Sequence, residues 1–541
     1  MHIKELVLLA AAAFTVATEP LAPLAVCGEP CVLSLGVVEL SDGARTYASR
    51  GYNGGVPGPL VRARAGTTLS IRLENALSAT DNVDAGHNKV RLPNTTNLHT
   101  HGMHVSPRPP GDDVSLSVGP GAAFDYAHDV PADHTGGTHW YHPHHHGSVE
   151  LSAGGGAAGL LIVEDEPGAL PDAVREMVEV PLVLSWISPT ALHELQSKFN
   201  GALWATSEPG DDFLLTNSQV APTLAVDTNK WYRLRCVFVA ADDRSPVLTV
   251  EGGDCELQLL AKDGVYLDEA PRPVDRAPLT SGSRADLGLR CATPGPARLR
   301  LGGNLAWQAA DDRSFDALML DVSGMALAPD LPRFRTERPC YLSDTRAETS
   351  DATLFLSVGD WGGGFPEDPD KRWNRVPAGA LVDVIADSLN EHAIHLHVNH
   401  FQLTSIGARD PNYFRVGDWH DTLFEPSRSA GLRFYTDRFA GPMVVHCHNY
   451  VHSDQGMMKV IEIEGADGAA VRAADDACLR DGTRGYALLA PSPAPTGAPV
   501  APTTKPTAAP PPVVAPPADG SDGAAAAPLG VAAAVLALLL A

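Results

Sequence analysis

The chain has 541 residues, 44% hydrophobic and 19% charged, which is material for about three globular domains at the usual ~100–200 residues each. Its formal net charge of −25 argues against nucleic acid or an anionic membrane surface as a partner. Twenty-one histidines and eight cysteines are the compositional features that need explaining.

At the amino end, His2 and Lys4 precede an apolar run from Leu6 to Val16, with small residues near Ala17. This is the pattern of a secretory signal over residues 1–18, with a buried first strand as the alternative. Secretion permits disulfides among Cys27, Cys31, Cys236, Cys255, Cys291, Cys340 and Cys478. That set is odd in number, so at least one member stays unpaired or pairs between chains. Short strands separated by Gly/Pro turns follow, at 32–38, 68–73, 159–163, 180–186, 232–239, 257–260, 285–289 and 381–385. Long amphipathic helices are scarce, and this density of short strands predicts β-sandwiches. Breaks near Glu164–Gly168 and in the Pro-containing segment 326–338 suggest domains over 28–167, 175–326 and 339–480. Residues 488–523 are rich in Pro, Ala and Thr, a stalk that cannot build a core. The apolar tail 524–541 has the outline of a glycolipid-anchor signal, with a tail anchor or a plain tail as alternatives.

Four stretches carry the chemistry. His99-Thr100-His101-Gly102 places two imidazoles on one strand face, with Gly102 leaving room for a close approach. His142-Pro143-His144 has the same spacing, flanked by His139, His145 and His146. His392-Ala393-Ile394-His395-Leu396-His397 adds three more, with His392 off the shared face. The densest is His446-Cys447-His448-Asn449-Tyr450-Val451-His452-Ser453-Asp454-Gln455-Gly456-Met457. A thiolate with imidazoles and a weak thioether is the donor set of a mononuclear redox copper. Strand alternation turns Cys447 to one face and His446 and His448 to the other, so one short strand can serve two metal sites.

These four motifs resemble those of the multicopper oxidases, the laccase-like blue copper enzymes. The resemblance runs over about 30–465 and includes Tyr52-Asn53-Gly54-Gly55-Val56-Pro57-Gly58-Pro59 and Gly137-Thr138-His139-Trp140-Tyr141-His142-Pro143-His144. It implies an all-β chain of three consecutive cupredoxin-like Greek-key sandwiches followed by a disordered Pro-rich tail. It further implies four copper ions. His392, Cys447, His452 and axial Met457 would hold a type 1 copper, and His99 and His395 a type 2 copper. His101, His142, His144, His397, His446 and His448 would hold a type 3 pair. Ala393 departs from the usual proline of the family. Asp112 resembles the family's acidic residue after the first motif and is a candidate proton supplier; an ordinary turn aspartate is the alternative, and Asp454 a weaker candidate.

The implied activity is oxidation of a small reducing substrate at the type 1 site, coupled to four-electron reduction of dioxygen to water at the trinuclear cluster. A phenol or aromatic amine is the default donor, with a ferroxidase or other metal-ion oxidase as the alternative. A cuprous oxidase would be expected to carry a Met-rich segment, and only eight methionines are present. A copper-binding surface protein without turnover is the reading from another class. Asn94-Thr95-Thr96 is an N-glycosylation sequon close to His99.

Overall fold

Strand Thr68–Asn75 turns Leu69, Ile71 and Leu73 inward and Ser70 and Arg72 outward, the period-two pattern that makes one face of a sheet stick to another. A computed structural model describes residues 19–490 apart from 198–208, 243, 304–312, 358–364, 366–370, 391, 408–409, 425–427, 469–477 and 479–483. In it the strand lies in a four-stranded sheet with Cys31–Ser41, Thr46–Tyr52 and Ala123–Asp129. The facing sheet holds Val61–Ala63, Gly159–Val163, Gly137–His142 and His99–His101. Leu33, Leu35, Ile71 and Leu73 from one sheet meet Val61, Tyr141, Leu161 and Val163 from the other in a shared core.

The arrangement recurs twice. Val178–Ile187, Tyr232–Val239, Arg284–Cys291 and Cys255–Lys262 centre a sheet opposite one built on Thr223–Asp227, Ser314–Ser323, Gly295–Gly302 and Val247–Glu251. Ala352–Leu356, Leu381–Ala386, Ala430–Tyr435 and Phe401–Ile406 stand opposite Asn374–Pro377, Met458–Glu464, Gly441–Cys447 and Ile394–Leu396. Each copy contains two parallel pairings within otherwise antiparallel sheets. They join Cys31–Ser41 to Thr68–Asn75 and Val61–Ala63 to Gly159–Val163 in the first. Their counterparts join Val178–Ile187 to Tyr232–Val239 and Thr223–Asp227 to Ser314–Ser323 in the second, and Ala352–Leu356 to Leu381–Ala386 and Asn374–Pro377 to Met458–Glu464 in the third. Parallel neighbours need crossovers between sheets, so this is the Greek-key, cupredoxin-like sandwich three times over.

Every predicted strand is present, usually longer than its apolar run; the 257–260 run sits inside Cys255–Lys262 because ladder bonds continue past the apolar run at both ends. A further apolar cluster wedges the sandwiches together, with Trp140 and Leu160 from the first, Val183, Val237 and Val239 from the second and Tyr450 from the third. Disulfides link Cys27 to Cys31, Cys255 to Cys291 and Cys340 to Cys478. Cys236 is the leftover of the odd set, a buried thiol that desolvation keeps protonated by pushing its pKa up. The sequon at Asn94 is closed to a glycan in the folded protein. The side chain is buried, and its amide nitrogen donates to Ser78 O at 2.8 Å and Thr80 O at 3.0 Å. The signal-like segment 1–18 and the tail beyond 490 lie outside the described residues. Among those described, no helix is long and apolar enough to cross a membrane.

Candidate metal centres

Two strand pairs bring the histidine motifs together. His99–His101 runs antiparallel to Gly137–His142, with His99 opposite His142. Ile394–Leu396 runs antiparallel to Gly441–Cys447, with His395 opposite His446 and Ile394 opposite Cys447. The first pair belongs to the first sandwich and the second to the third, and their histidine faces meet. His99 and His397 stack at 4.0 Å between ring centroids, and His101 and His395 at 3.6 Å.

The nitrogens point at one another. His99 Nε2 lies 3.4 Å from His395 Nε2. His446 Nε2 lies 3.2 Å from both His144 Nε2 and His397 Nε2. His101 Nδ1, His142 Nε2 and both ring nitrogens of His448 are buried without a hydrogen-bond partner among the described residues. Burial, with the neighbouring imidazoles, pushes His101, His142, His144, His395, His397 and His448 well below the usual imidazole pKa. Burial also takes His446 down to about 3. Neutral imidazoles with converging lone pairs leave those nitrogens unsatisfied unless cations sit between them.

Cys447 points to the other side of its strand. Its Sγ is 3.7 Å from His392 Nδ1 and 3.7 Å from His452 Nδ1, and the two nitrogens are 3.3 Å apart. With metal bonds of about 2.3 Å to sulfur and about 2.0 Å to nitrogen, a trigonal ion would space its donors about 3.7 Å and about 3.5 Å apart. The triangle fits such an ion. Asn449 accepts a hydrogen bond from His452 N at 3.3 Å and so caps the short helix Tyr450–Asp454 that carries His452. Met457 is stitched in by its backbone, its amide donating to His452 O at 2.9 Å and its carbonyl accepting from Cys447 N at 3.0 Å.

Multicopper oxidase family models match residues 38–168 and 348–467, the two stretches that carry these donors. The chain belongs to the multicopper oxidase family. Laccase-1 of Thanatephorus cucumeris is 27% identical over 259 residues, which are 45% of this chain and 41% of that protein. Multicopper oxidase mco of Staphylococcus aureus is 19% identical over 423 residues, 76% of this chain and 83% of that one. The chain spans about two-fifths of the length of the Thanatephorus laccases it matches. The solved multicopper oxidase of Campylobacter jejuni, described as a metallo-oxidase, shares the fold with a TM-score of 0.62 at 19% identity, over 82% of this chain and 95% of that one. Copper is the metal of a multicopper oxidase, and a thiolate among imidazoles suits it.

In this multicopper oxidase the converging imidazoles are oriented from behind. His99 Nδ1 donates to Asp112 Oδ2 at 2.7 Å, His142 Nδ1 to Pro143 O at 2.9 Å and His446 Nδ1 to Cys447 O at 2.9 Å. Each bond fixes one nitrogen as N–H and frees the other. Asp112 is fully engaged, its Oδ1 accepting from Thr100 N at 2.7 Å and Thr100 Oγ1 at 3.1 Å. Burial pushes its carboxyl up, but His99 and the Thr100 amide outweigh that and hold it below the usual range. A carboxylate with both oxygens occupied in this way orients the His99 ring. Ala393, where the family usually has proline, uses its carbonyl to accept His448 N–H at 2.6 Å, a bond that proline would also make.

Sequence reasoning missed Asp421, Thr422 and Arg284. All three are buried against the cluster, with Asp421 Oδ1 3.1 Å and Thr422 Oγ1 2.9 Å from His101 Nε2. No local motif marks them, since Arg284 lies 137 residues from Asp421. Of the extra histidines, His139 packs behind Gly102 and Gly264. His145 and His146 instead line a cavity of about 690 Å³ that reaches Asp112, His144 and His397.

Proposed function

We propose that the chain is a copper-dependent oxidoreductase that takes single electrons from a small reducing substrate and passes them to dioxygen. The observation that carries this reading is the His446-Cys447-His448 segment. Cys447 belongs to one donor triangle, while His446 and His448 belong to the imidazole cluster on the other side of the same strand. His392, Cys447 and His452, with Met457 as weak axial ligand, would hold type 1 copper. His99 and His395 would hold type 2 copper, and His101, His142, His144, His397, His446 and His448 the type 3 pair. Bound copper would supply one-electron chemistry at the Cys447 site and four-electron reduction of dioxygen to water at the cluster.

The remaining work belongs to the protein. The backbone from Cys447 to its two neighbours is the shortest covalent link between the centres. His452 is the one partly exposed member of the imidazole donors, so its ring edge is where a donor molecule meets the Cys447 site. The 690 Å³ cavity beside His144 and His397 gives dioxygen and water a separate way in, and Asp112 holds His99 in orientation. Phenols and aromatic amines are the proposed substrates, supported by the likeness to laccases. The second reading is a ferroxidase or other metal-ion oxidase, supported by the likeness to an iron transport multicopper oxidase of Schizosaccharomyces pombe. Three disulfides support an oxidising, extracytoplasmic location. The sequence patterns at 1–18 and 524–541 support a signal peptide and a surface anchor.

Visible and paramagnetic spectra of the copper-loaded chain, with oxygen uptake on a phenol, ferrous ion and cuprous ion, test this. An intense blue band that vanishes in Cys447→Ser is expected, together with uptake on the phenol. A blue band that survives Cys447→Ser would sink the type 1 assignment. Uptake on ferrous or cuprous ion alone would replace the organic substrate with a metal ion.

A further inference from the structure

An imidazole binds a metal through whichever nitrogen its other hydrogen bond leaves free. His99, His142, His395 and His446 are all tied through Nδ1 and present Nε2; for His395 the acceptor is the carbonyl of Asp421, at 2.8 Å. His101 is reversed. Its Nε2–H is shared between Asp421 Oδ1 at 3.1 Å and Thr422 Oγ1 at 2.9 Å, and its Nδ1 is the buried nitrogen without a partner. The Thr422 hydroxyl donates to Asp421 Oδ1 at 2.8 Å, which turns its lone pairs toward His101. One residue thus orients two stacked rings in opposite senses, His101 by its carboxylate and His395 by its carbonyl.

Asp421 is itself held. Arg284 Nη1 donates to Asp421 Oδ1 at 2.7 Å, and Arg284 Nη2 makes a second, shorter bond to Oδ2, a two-pronged grip. Arg284 is fixed in turn by Gly282 O at 2.8 Å and Thr138 O at 3.2 Å, with Asp263 Oδ1 3.5 Å away. Two glycines with positive φ let these groups close in. A Cβ on Gly102 would sit 2.7 Å from Asp421 Oδ2, and one on Gly282 2.7 Å from His448 Cε1. The grip also matters because His101, His395 and Asp421 lie close enough to hold a metal ion themselves. With both carboxylate oxygens engaged by Arg284, Asp421 is kept as a support.

We infer that Asp421, clamped by Arg284 of the middle sandwich, is the positioning residue that makes His101 face the copper cluster through Nδ1 and His395 through Nε2. The middle sandwich, which supplies no ligand, thereby controls the cluster. This rests on the proposed copper sites.

The test compares the full copper-loaded chain with Asp421→Asn, Thr422→Val and Thr422→Ser. The readouts are copper per chain after dialysis against a chelator, the blue band, the paramagnetic spectrum and the unfolding midpoint. Asp421→Asn is expected to retain cluster copper about 10–100-fold less tightly, as is usual when the group behind a metal-bound histidine is lost. Its blue band should stay intact. Thr422→Val should shift the same way by less, and Thr422→Ser, which restores the hydroxyl, should match the wild type. Wild-type copper retention and spectra in both Asp421→Asn and Thr422→Val overturn the inference. So does loss of the blue band together with cluster copper at a lowered unfolding midpoint, which would make Asp421 a general structural residue. A wild-type chain with no blue band overturns the proposed copper sites themselves, and the inference falls with them.

Discussion

Asp112 shows how much one side chain decides at this site. Its Oδ2 accepts a hydrogen bond from His99 Nδ1 while its Oδ1 accepts two from Thr100, so all three of these partners are donors. Asparagine has the same shape but must turn an NH2 toward one of them. Asp112→Asn should therefore weaken copper retention or oxygen uptake by about 10–100-fold, the usual cost of losing the partner of a metal-bound imidazole. Metal analysis after dialysis and oxygen-electrode rates with one phenol would measure it. A variant indistinguishable from wild type in both would show that His99 does not depend on Asp112.

At the scale of elements, two short helices lock the first sandwich to the third. Helix Val149–Ser152 follows the His142–His146 stretch, and its N-cap, Ser148, makes no side-chain capping bond. Asp454, at the end of the helix carrying His452, replaces it: its Oδ1 accepts from Gly147 N at 2.7 Å and its Oδ2 from Glu150 N at 2.9 Å. Asp454→Ala leaves two buried amides without acceptors, at about 1–3 kcal/mol each. The unfolding midpoint should fall and the blue band should shift, since His452 rides on the same helix. Asp454→Asn, which keeps one acceptor, should fall between. An unchanged midpoint in Asp454→Ala would refute the cap. The bond also shows what a sequence hides. The histidine and cysteine motifs were legible because period-two spacing puts His99 with His101, and Cys447 opposite His446, within a few residues. The supports were not, because Asp454 reaches Gly147 across 307 residues and Arg284 reaches Asp421 across 137. Local spacing also misplaces some of these histidines on strands. The strand ends at His142 before His144, and the third motif's strand is Ile394–Leu396, so His397 lies just beyond it. What survives is the convergence of the nitrogens.

At the scale of the whole molecule, histidines from the first and third sandwiches meet at a junction that the second also contacts. Lys262 and Arg272 of the middle sandwich close on Asp418 of the third: Lys262 Nζ is 2.6 Å from Oδ2, and Arg272 Nη2 is 2.7 Å from Oδ1. Burial pulls Lys262 down to about 8 even beside Asp418, so its ammonium is still mostly charged at pH 7. Burial alone would raise the Asp418 pKa, but Lys262 and Arg272 outweigh it and hold the carboxyl below its usual value of 3.8. A carboxyl with a depressed folded pKa binds its proton more readily in the unfolded chain. Its contribution is therefore present above about pH 4 and is lost as pH falls toward the folded value. Asp418→Asn should cost about 3–5 kcal/mol at neutral pH, because two buried cations lose their counter-charge. Thermal unfolding of the wild type and this variant between about pH 3 and about pH 7 checks both claims. The gap between the two midpoints should be wide at neutral pH and begin to narrow below about pH 4, as the unfolded chain takes up a proton at Asp418 that the folded one still refuses. Two curves that run parallel, or a variant as stable as the wild type at pH 7, would show that the junction does not rest on this ion cluster.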